Sequence, residues 1–370
     1  MRICILSELF YPYLLGGAER RYWEIAKRLA KKGHDVTVFS LKFPGYPDEE
    51  TVEGIKIKRV GKKHPLTHRD AKKLASYWPA GFGAAASEFD IVDANQGAGT
   101  FIGLWKFLRL TKRPVVVTFH DIYWRNWPGY WGIAGRYLGA ILELGWFVMA
   151  KAASRVIVNS NQTKEKLGVF GVKNPEVIVS GVDLETVRKV KPIKSAKTIV
   201  YVGRLETYKR VDVLIKAMAL SKKLRGYKLL VMGRGPDQKR LERIANESKV
   251  RAEFLGFVSE EEKIARIKGA DVLVNPSALE GLGLILLEGM ACGVPVVGFD
   301  LECYKEFCTT ENSVIVKEFS EGALSEGIET ALSSRSLARN GAKTAEKFSW
   351  DGVADKVEKV YKELLNKASN

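Results

Sequence analysis

The chain has 370 residues, 46% hydrophobic and 28% charged, a composition that excludes a disordered, collagen-like or disulfide-scaffold protein. Its 59 Lys+Arg against 43 Asp+Glu leave a formal charge of +16, which calls for an anionic partner: nucleic acid, an anionic membrane or a phosphorylated small molecule. Four cysteines (Cys4, Cys292, Cys303, Cys308) form no C-x-x-C pair, which argues against zinc or disulfides and fits a reducing cytoplasm.

Short apolar runs alternate with helical patterns along the whole chain. Arg2–Ser7 reads as a strand. A helix follows over Ala18–Lys32, with Ala18, Tyr22, Ile25, Ala26 and Leu29 at three-to-four spacing and Gly33 as its stop. Further strands are predicted at Val36–Phe39, Ile55–Val60, Ile91–Asp93, Val115–Thr118, Val156–Val158 and Val177–Val179. The apolar stretch Tyr137–Ala150 contains Glu143 and reads as a buried helix, and no run is long enough to span a membrane. The pattern loosens over Gly181–Lys197, which reads as a linker. A second series follows. Its predicted strands are Thr198–Val202, Lys228–Met232, Ala252–Leu255, Val272–Val274, Val294–Val297 and Val314–Val316. Its predicted helices are Val211–Lys223, Asp237–Lys249, Glu260–Lys268 and Gly283–Cys292, and an amphipathic helix closes the chain at Trp350–Leu365. Alternation of this kind predicts an α/β protein of two Rossmann-like, doubly wound domains facing across a cleft, with ligands beyond the carboxyl ends of the strands.

Three segments carry candidate chemistry. Gly16-Gly17 precede the first helix and let an anion approach its bare N–H groups. Gly203-Arg204-Leu205-Glu206-Thr207-Tyr208-Lys209 follows a strand, and its two cations, Arg204 and Lys209, suit a diphosphate. In Asn275–Val297 a loop carries Glu280, and a nearly all-apolar helix starting near Gly283 carries Glu288. A carboxylate in such a helix needs a partner: the vicinal hydroxyls of a ribose, a backbone amide or a lysine.

Glu280, seven residues, Glu288, then Gly-x-Pro-Val-Val resembles the signature of the retaining GT-B glycosyltransferases of family 4. Gly-Gly-Ala-Glu-Arg, Thr118-Phe119-His120-Asp121, Gly203-Arg204-Leu205 with Lys209, Gly233-Arg234-Gly235-Pro236 and Leu255-Gly256-Phe257-Val258 stand in that family's order, so the resemblance covers essentially the whole chain. It implies an acceptor-binding domain over 1–188 plus 349–370, with the last helix crossing back, and a donor-binding domain over 189–348. Glu288 would bind the ribose of a nucleotide sugar, UDP- or GDP-linked. Arg204, Lys209 and the amides around Gly283 and Leu284 would hold its diphosphate, with Gly233 in the same set. Glu280 and His120 would meet the donor sugar, Gly16 and Gly17 its phosphate and sugar, and Phe257 and Val258 the base. His120, Arg204, Lys209 and Glu280 are thus the candidate catalytic residues. The sequence has no Asp-x-Asp motif, so neither a metal nor a resident cofactor is expected; the nucleotide sugar is a co-substrate.

The charge is uneven. Residues 1–190 carry net +11 and residues 191–370 net +5. The basic run Lys56–Lys73, with Lys62, Lys63, Arg69, Lys72 and Lys73, leads to Trp78, and an aromatic loop with Trp124 and Trp127 follows His120. These point to a glycan or lipid-linked, anionic acceptor and to a protein at the inner face of a membrane. Scarce glutamine with abundant Lys, Arg and Glu leans toward a hot-growing source. The rival readings are a GT-B epimerase or phosphorylase and a basic nucleic-acid-binding protein. The last lacks any recognition-helix, RNP or zinc-finger signature, so no nucleic-acid partner is expected.

Overall fold

The structure, a computed structural model, describes residues 1–12, 16–63, 77, 89–97, 113–122, 143–148, 150–194 and 197–369. Arg69, Lys72, Lys73, Trp78, Trp124, Trp127 and part of the Tyr137–Ala150 segment lie outside the described residues.

The chain divides into two compact units, 1–181 with 350–370 and 182–349. The sequence-based border at 188/189 therefore moves to 181/182, and the predicted linker contains a helix, Leu184–Lys189. Two features tie that helix to the second unit. Asp183 caps it, accepting from Thr186 N at 3.0 Å, and Lys268 Nζ donates to the carbonyls of Val187 and Val190 at 2.8 and 2.6 Å.

The first unit is built on β1 (Arg2–Leu6), β2 (Asp35–Leu41), β3 (Glu49–Val52), β4 (Ile55–Val60), β5 (Ile91–Asn95), β6 (Val115–Phe119), β7 (Arg155–Val158) and β8 (Glu176–Val177). They form one sheet in the order β3-β4-β2-β1-β5-β6-β7-β8, parallel except for the β3–β4 pair. The edge strand β3 escaped the sequence reading because Glu49-Glu50 hide it and its side chains alternate between exposed and half-buried. Helix α1 (Gly17–Lys31) covers β2 and β4 and packs on the terminal helix. The other described full helix of this unit before the terminal one is α2 (Asn161–Val169).

The second unit holds β9 (Thr198–Val202), β10 (Lys228–Met232), β11 (Ala252–Gly256), β12 (Val272–Asn275), β13 (Val296–Phe299) and β14 (Val314–Val316). Their order, β11-β10-β9-β12-β13-β14, is all parallel and is the 3-2-1-4-5-6 order of the dinucleotide-binding fold. β9, β12 and β13 are buried almost throughout, as continuous apolar runs covered on both faces should be. After α3, the Leu184–Lys189 helix, come α4 (Val211–Leu220), α5 (Gln238–Glu247), α6 (Glu260–Lys268), α7 (Leu284–Ala291), α8 (Glu321–Ser333) and α9 (Arg335–Ala345). The terminal helix α10 (Trp350–Ser369) returns to the first unit. There Arg28 meets Asp351, and Lys32 meets Asp355 and Glu358. Lys32 first, then Lys362 and His34, hold the Glu358 carboxyl down to about 2.

Candidate active site

In the second sheet the strand order reverses between β9 and β12, the place where α/β sheets open a ligand crevice. The sequence motifs converge on the carboxyl ends there. The loops after β9 and β10 touch through their backbones. A Cβ on Gly233 would stand 1.9 Å from the Gly203 carbonyl oxygen, and one on Gly235 2.0 Å from that of Leu205. Leu205 N and Asp237 N complete the joint through the carbonyls of Arg234 and Leu205. These glycines are therefore required by close approach, which explains two of the motifs before any ligand is considered.

Arg204 and Lys209 flank Tyr208. Arg204 Nη2 donates to its hydroxyl at 2.6 Å, and Lys209 Nζ lies 5.2 Å from its ring centre. Neither cation is unpartnered. Arg204 also pairs with Glu206 at 3.1 Å, and Lys209 with Glu280 at 2.7 Å. The structure thus joins two sequence candidates, Lys209 and Glu280, into one ion pair across 71 residues of chain.

Gly283 is the residue preceding α7. It takes φ 74°, and a Cβ there would stand 2.1 Å from the Tyr304 ring. A glycine in that place supplies no side-chain cap; the Leu286 N–H is taken by the Gly283 carbonyl at 2.9 Å, and the amides of Leu284 and Ile285 are those that face an incoming anion at a helix start. Helices α2, α6 and α8 differ: Ser160, Ser259 and Ser320 cap their third residue. Glu288, one turn in, is partly exposed and paired with Lys263 Nζ at 2.7 Å. The lysine partner, one of the options open from sequence, is thus present at the residue level. Lys263 was not itself anticipated, because it lies 25 residues away on α6. Burial alone would lower its ammonium, but Glu288 and Glu260 hold it above the ordinary lysine value. Beyond β11, Phe257 is 67% exposed and Val258 half-buried.

In the first unit Gly16 precedes α1 in extended backbone, again without a side-chain cap, and a Cβ on Gly17 would meet none of the described residues within 4 Å. His120 follows β6. Its backbone N–H is held by Gln96 Oε1 at 2.9 Å, and its ring meets the edge of Tyr22 at 5.9 Å. Burial, then the Arg21 charge, push the imidazole down to about 3. It is therefore neutral at physiological pH, and its Nε2 has no partner among the described residues. Beneath it Asp93 accepts from Tyr22 at 3.0 Å, from Thr118 at 3.5 Å and from Tyr361 of the terminal helix. The sequence reading missed this junction.

The basic run is described only as far as Lys63, and its first part is paired. Lys56 pairs with Asp35 and Lys58 with Glu49. The Arg59 side chain is buried on the carbonyls of Pro47 and Tyr11. Lys62 and Lys63 are exposed. Among the described residues no group of acidic, cysteine or histidine side chains could hold a metal, and no helix is long and apolar enough to cross a membrane.

Comparison with known proteins agrees with this arrangement. The profile of Glycosyltransferase Family 4 matches residues 15–186 and that of Glycosyl transferases group 1 residues 183–348. An uncharacterized glycosyltransferase of Methanocaldococcus jannaschii is 26% identical over 98% of both chains. The phosphatidyl-myo-inositol mannosyltransferase of Mycobacterium leprae is 24% identical over 96% of this chain and 95% of its own. Sucrose-phosphate synthase from Thermosynechococcus elongatus has the same fold, with a TM-score of 0.83 at 22% identity, covering 99% of this chain and 100% of that one. With both halves matched by consecutive profiles and the second unit's motifs gathered at one sheet edge, the chain belongs to the GT-B glycosyltransferases of family 4.

Proposed function

We propose that the enzyme is a retaining hexosyltransferase. It moves a sugar from a nucleoside-diphosphate sugar, UDP- or GDP-linked, to a lipid-linked or other anionic or glycan acceptor, without a metal ion. The observation that carries this reading is the grouping at the second sheet's carboxyl edge. Two cations, Arg204 and Lys209, share Tyr208, and two carboxylates, Glu280 and Glu288, lie on either side of the glycine-opened start of α7.

Breaking the sugar–phosphate bond leaves negative charge on the departing diphosphate. Arg204, Lys209 and the amides of Leu284 and Ile285 receive it in this reading, the kind of electrostatic term that dominates many enzymes. They supply the positive charge that a metal provides elsewhere. Glu288 accepts from the ribose hydroxyls and Glu280 from the sugar. A neutral His120 can exchange hydrogen bonds with a sugar hydroxyl but adds no cation. In the retaining scheme the leaving phosphate assists attack on the same face. The first unit receives the acceptor, and the phosphatidyl-myo-inositol substrate in the Mycobacterium leprae relative's name supports the lipid class. A cytoplasmic enzyme working at the inner membrane face fits that acceptor and the excess charge of residues 1–190.

Titration calorimetry with UDP-glucose and GDP-mannose tests the donor site. Whichever probe the wild type binds, Glu288→Ala is expected to lose it by more than about a hundredfold, since a carboxylate taking two hydroxyls contributes about 3 kcal/mol. Unchanged affinity would refute the ribose role.

A further inference from the structure

Asn275 ends β12 and is 2% exposed. Its Nδ2 donates to Glu280 Oε1 at 3.0 Å and to the Tyr304 hydroxyl at 3.0 Å. An ionised carboxylate only accepts, so the amide must present its nitrogen to Glu280, and its two N–H groups are then both engaged. Lys209 Nζ reaches the same Oε1 at 2.7 Å. One oxygen of Glu280 therefore holds two donors, while among the described residues no donor reaches Oε2. Tyr304, 1% exposed, lies with its ring against Gly283, directly under the start of α7. Burial, then the Glu280 charge, keep its phenol protonated, well above the ordinary range. The tyrosine thus links the glycine that opens α7 to the amide that holds Glu280.

We propose that Asn275 and Tyr304 are positioning residues that lock Glu280 through one oxygen, so that the other is presented as a single fixed acceptor for a hydroxyl of the transferred sugar. This rests on the reading of Glu280 as the ligand of the donor sugar. A carboxylate free to rotate would accept hydroxyls from several directions. One pinned at Oε1 selects sugars that place a hydroxyl at Oε2 and disfavours those that cover it without donating, because the acceptor then loses water and gains no partner.

The test uses the full chain and calorimetry with two probe pairs, GDP-mannose against GDP and UDP-glucose against UDP. The readout is the ratio of sugar-nucleotide to nucleoside-diphosphate dissociation constants. Asn275→Ala and Tyr304→Phe are each expected to raise that ratio about tenfold while diphosphate affinity stays within about twofold, and the double variant is expected to exceed the larger single effect by little. Parallel loss of both ligands, or an unchanged ratio, overturns the proposal. Should Asn275→Ala fail to fold, Tyr304→Phe decides alone, since it keeps the ring against Gly283. Glu280→Ala separates the two levels. If it leaves the ratio unchanged, the donor-sugar reading of Glu280 fails. If it raises the ratio but the other two variants do not, only the positioning role falls.

Discussion

At the carboxyl edge of the second sheet the charged groups are paired and keep some contact with solvent. Arg204 remains 39% exposed in its side chain, and Glu280 and Glu288 each sit on a lysine. The same edge of the first sheet is sealed. Asp93 and Arg21 are 3% and 1% exposed, and they are held by tyrosine, threonine and serine hydroxyls and a carbonyl. On the proposed function, the cations of the first of these edges exchange carboxylate partners for an incoming anion. The other is arranged so that its polar groups stay where they are, holding α1, β6 and the terminal helix together beneath His120.

The largest break in this contrast is expected in the backbone under the open edge. Gly235→Ala would force a methyl to within 2.0 Å of the Leu205 carbonyl oxygen. Overpacking against a backbone that cannot retreat costs about 3 kcal/mol, and the loops bearing Arg204 and Lys209 move with it. Urea denaturation should show that loss of stability together with loss of nucleotide binding. A variant of wild-type stability would mean that the joint between the two loops is softer than its geometry implies.

The sealed edge should show itself through pH. Burial raises the Asp93 carboxyl from 3.8 to about 6 against the opposing hydrogen bonds of Tyr361 and Tyr22, the Arg21 charge and Thr118. The folded state therefore binds this proton more tightly than the unfolded chain. Stability from this group is highest below pH 4 and falls as pH rises through 6. The displacement corresponds to about 3 kcal/mol. Denaturation of wild type and Asp93→Asn at pH 4 and pH 7 should show the difference between them shifting by that amount in favour of Asn at the higher pH. A pH-independent difference would mean that Asp93 is ionised throughout, with Arg21 as its effective counter-ion.

The two edges also differ in how far they were legible from sequence. The open edge is encoded locally. Gly203, Gly233, Gly235 and Gly283 are dictated by close approach or positive φ, and Glu280 and Glu288 stand within a single loop–helix segment. What stayed hidden there was the pairing: Lys263 25 residues from Glu288, and Lys209 71 residues from Glu280. The sealed edge could not be read locally, because Asp93 meets Tyr361 across 268 residues and a lone aspartate in a strand carries no signature. The strand runs were plain where both faces are buried and failed at the charged edge strand β3. At the start of the basic run the pairing was hidden in the same way. Charge counted along the chain says nothing of Asp35 and Glu49 lying opposite Lys56 and Lys58.

Gly17 gives the smallest expected effect on stability and the sharpest division between packing and function. It opens α1 with a negative φ, and none of the described residues lies within 4 Å of where a Cβ would stand. Among the described residues nothing therefore requires glycine there, unlike Gly235 in the second unit. Alanine at a helical position without strain stabilises by about 0.5 kcal/mol through the unfolded chain and helix propensity. If the open space is where a donor phosphate or sugar approaches the first-turn amides of α1, the methyl occupies it. Gly17→Ala should then melt no lower than wild type and yet lose transfer activity about tenfold or more. The decisive comparison is between the melting curve and kcat/KM on the same preparation. Full activity with unchanged or raised stability would remove Gly17 from the donor site and leave it as an ordinary helix start.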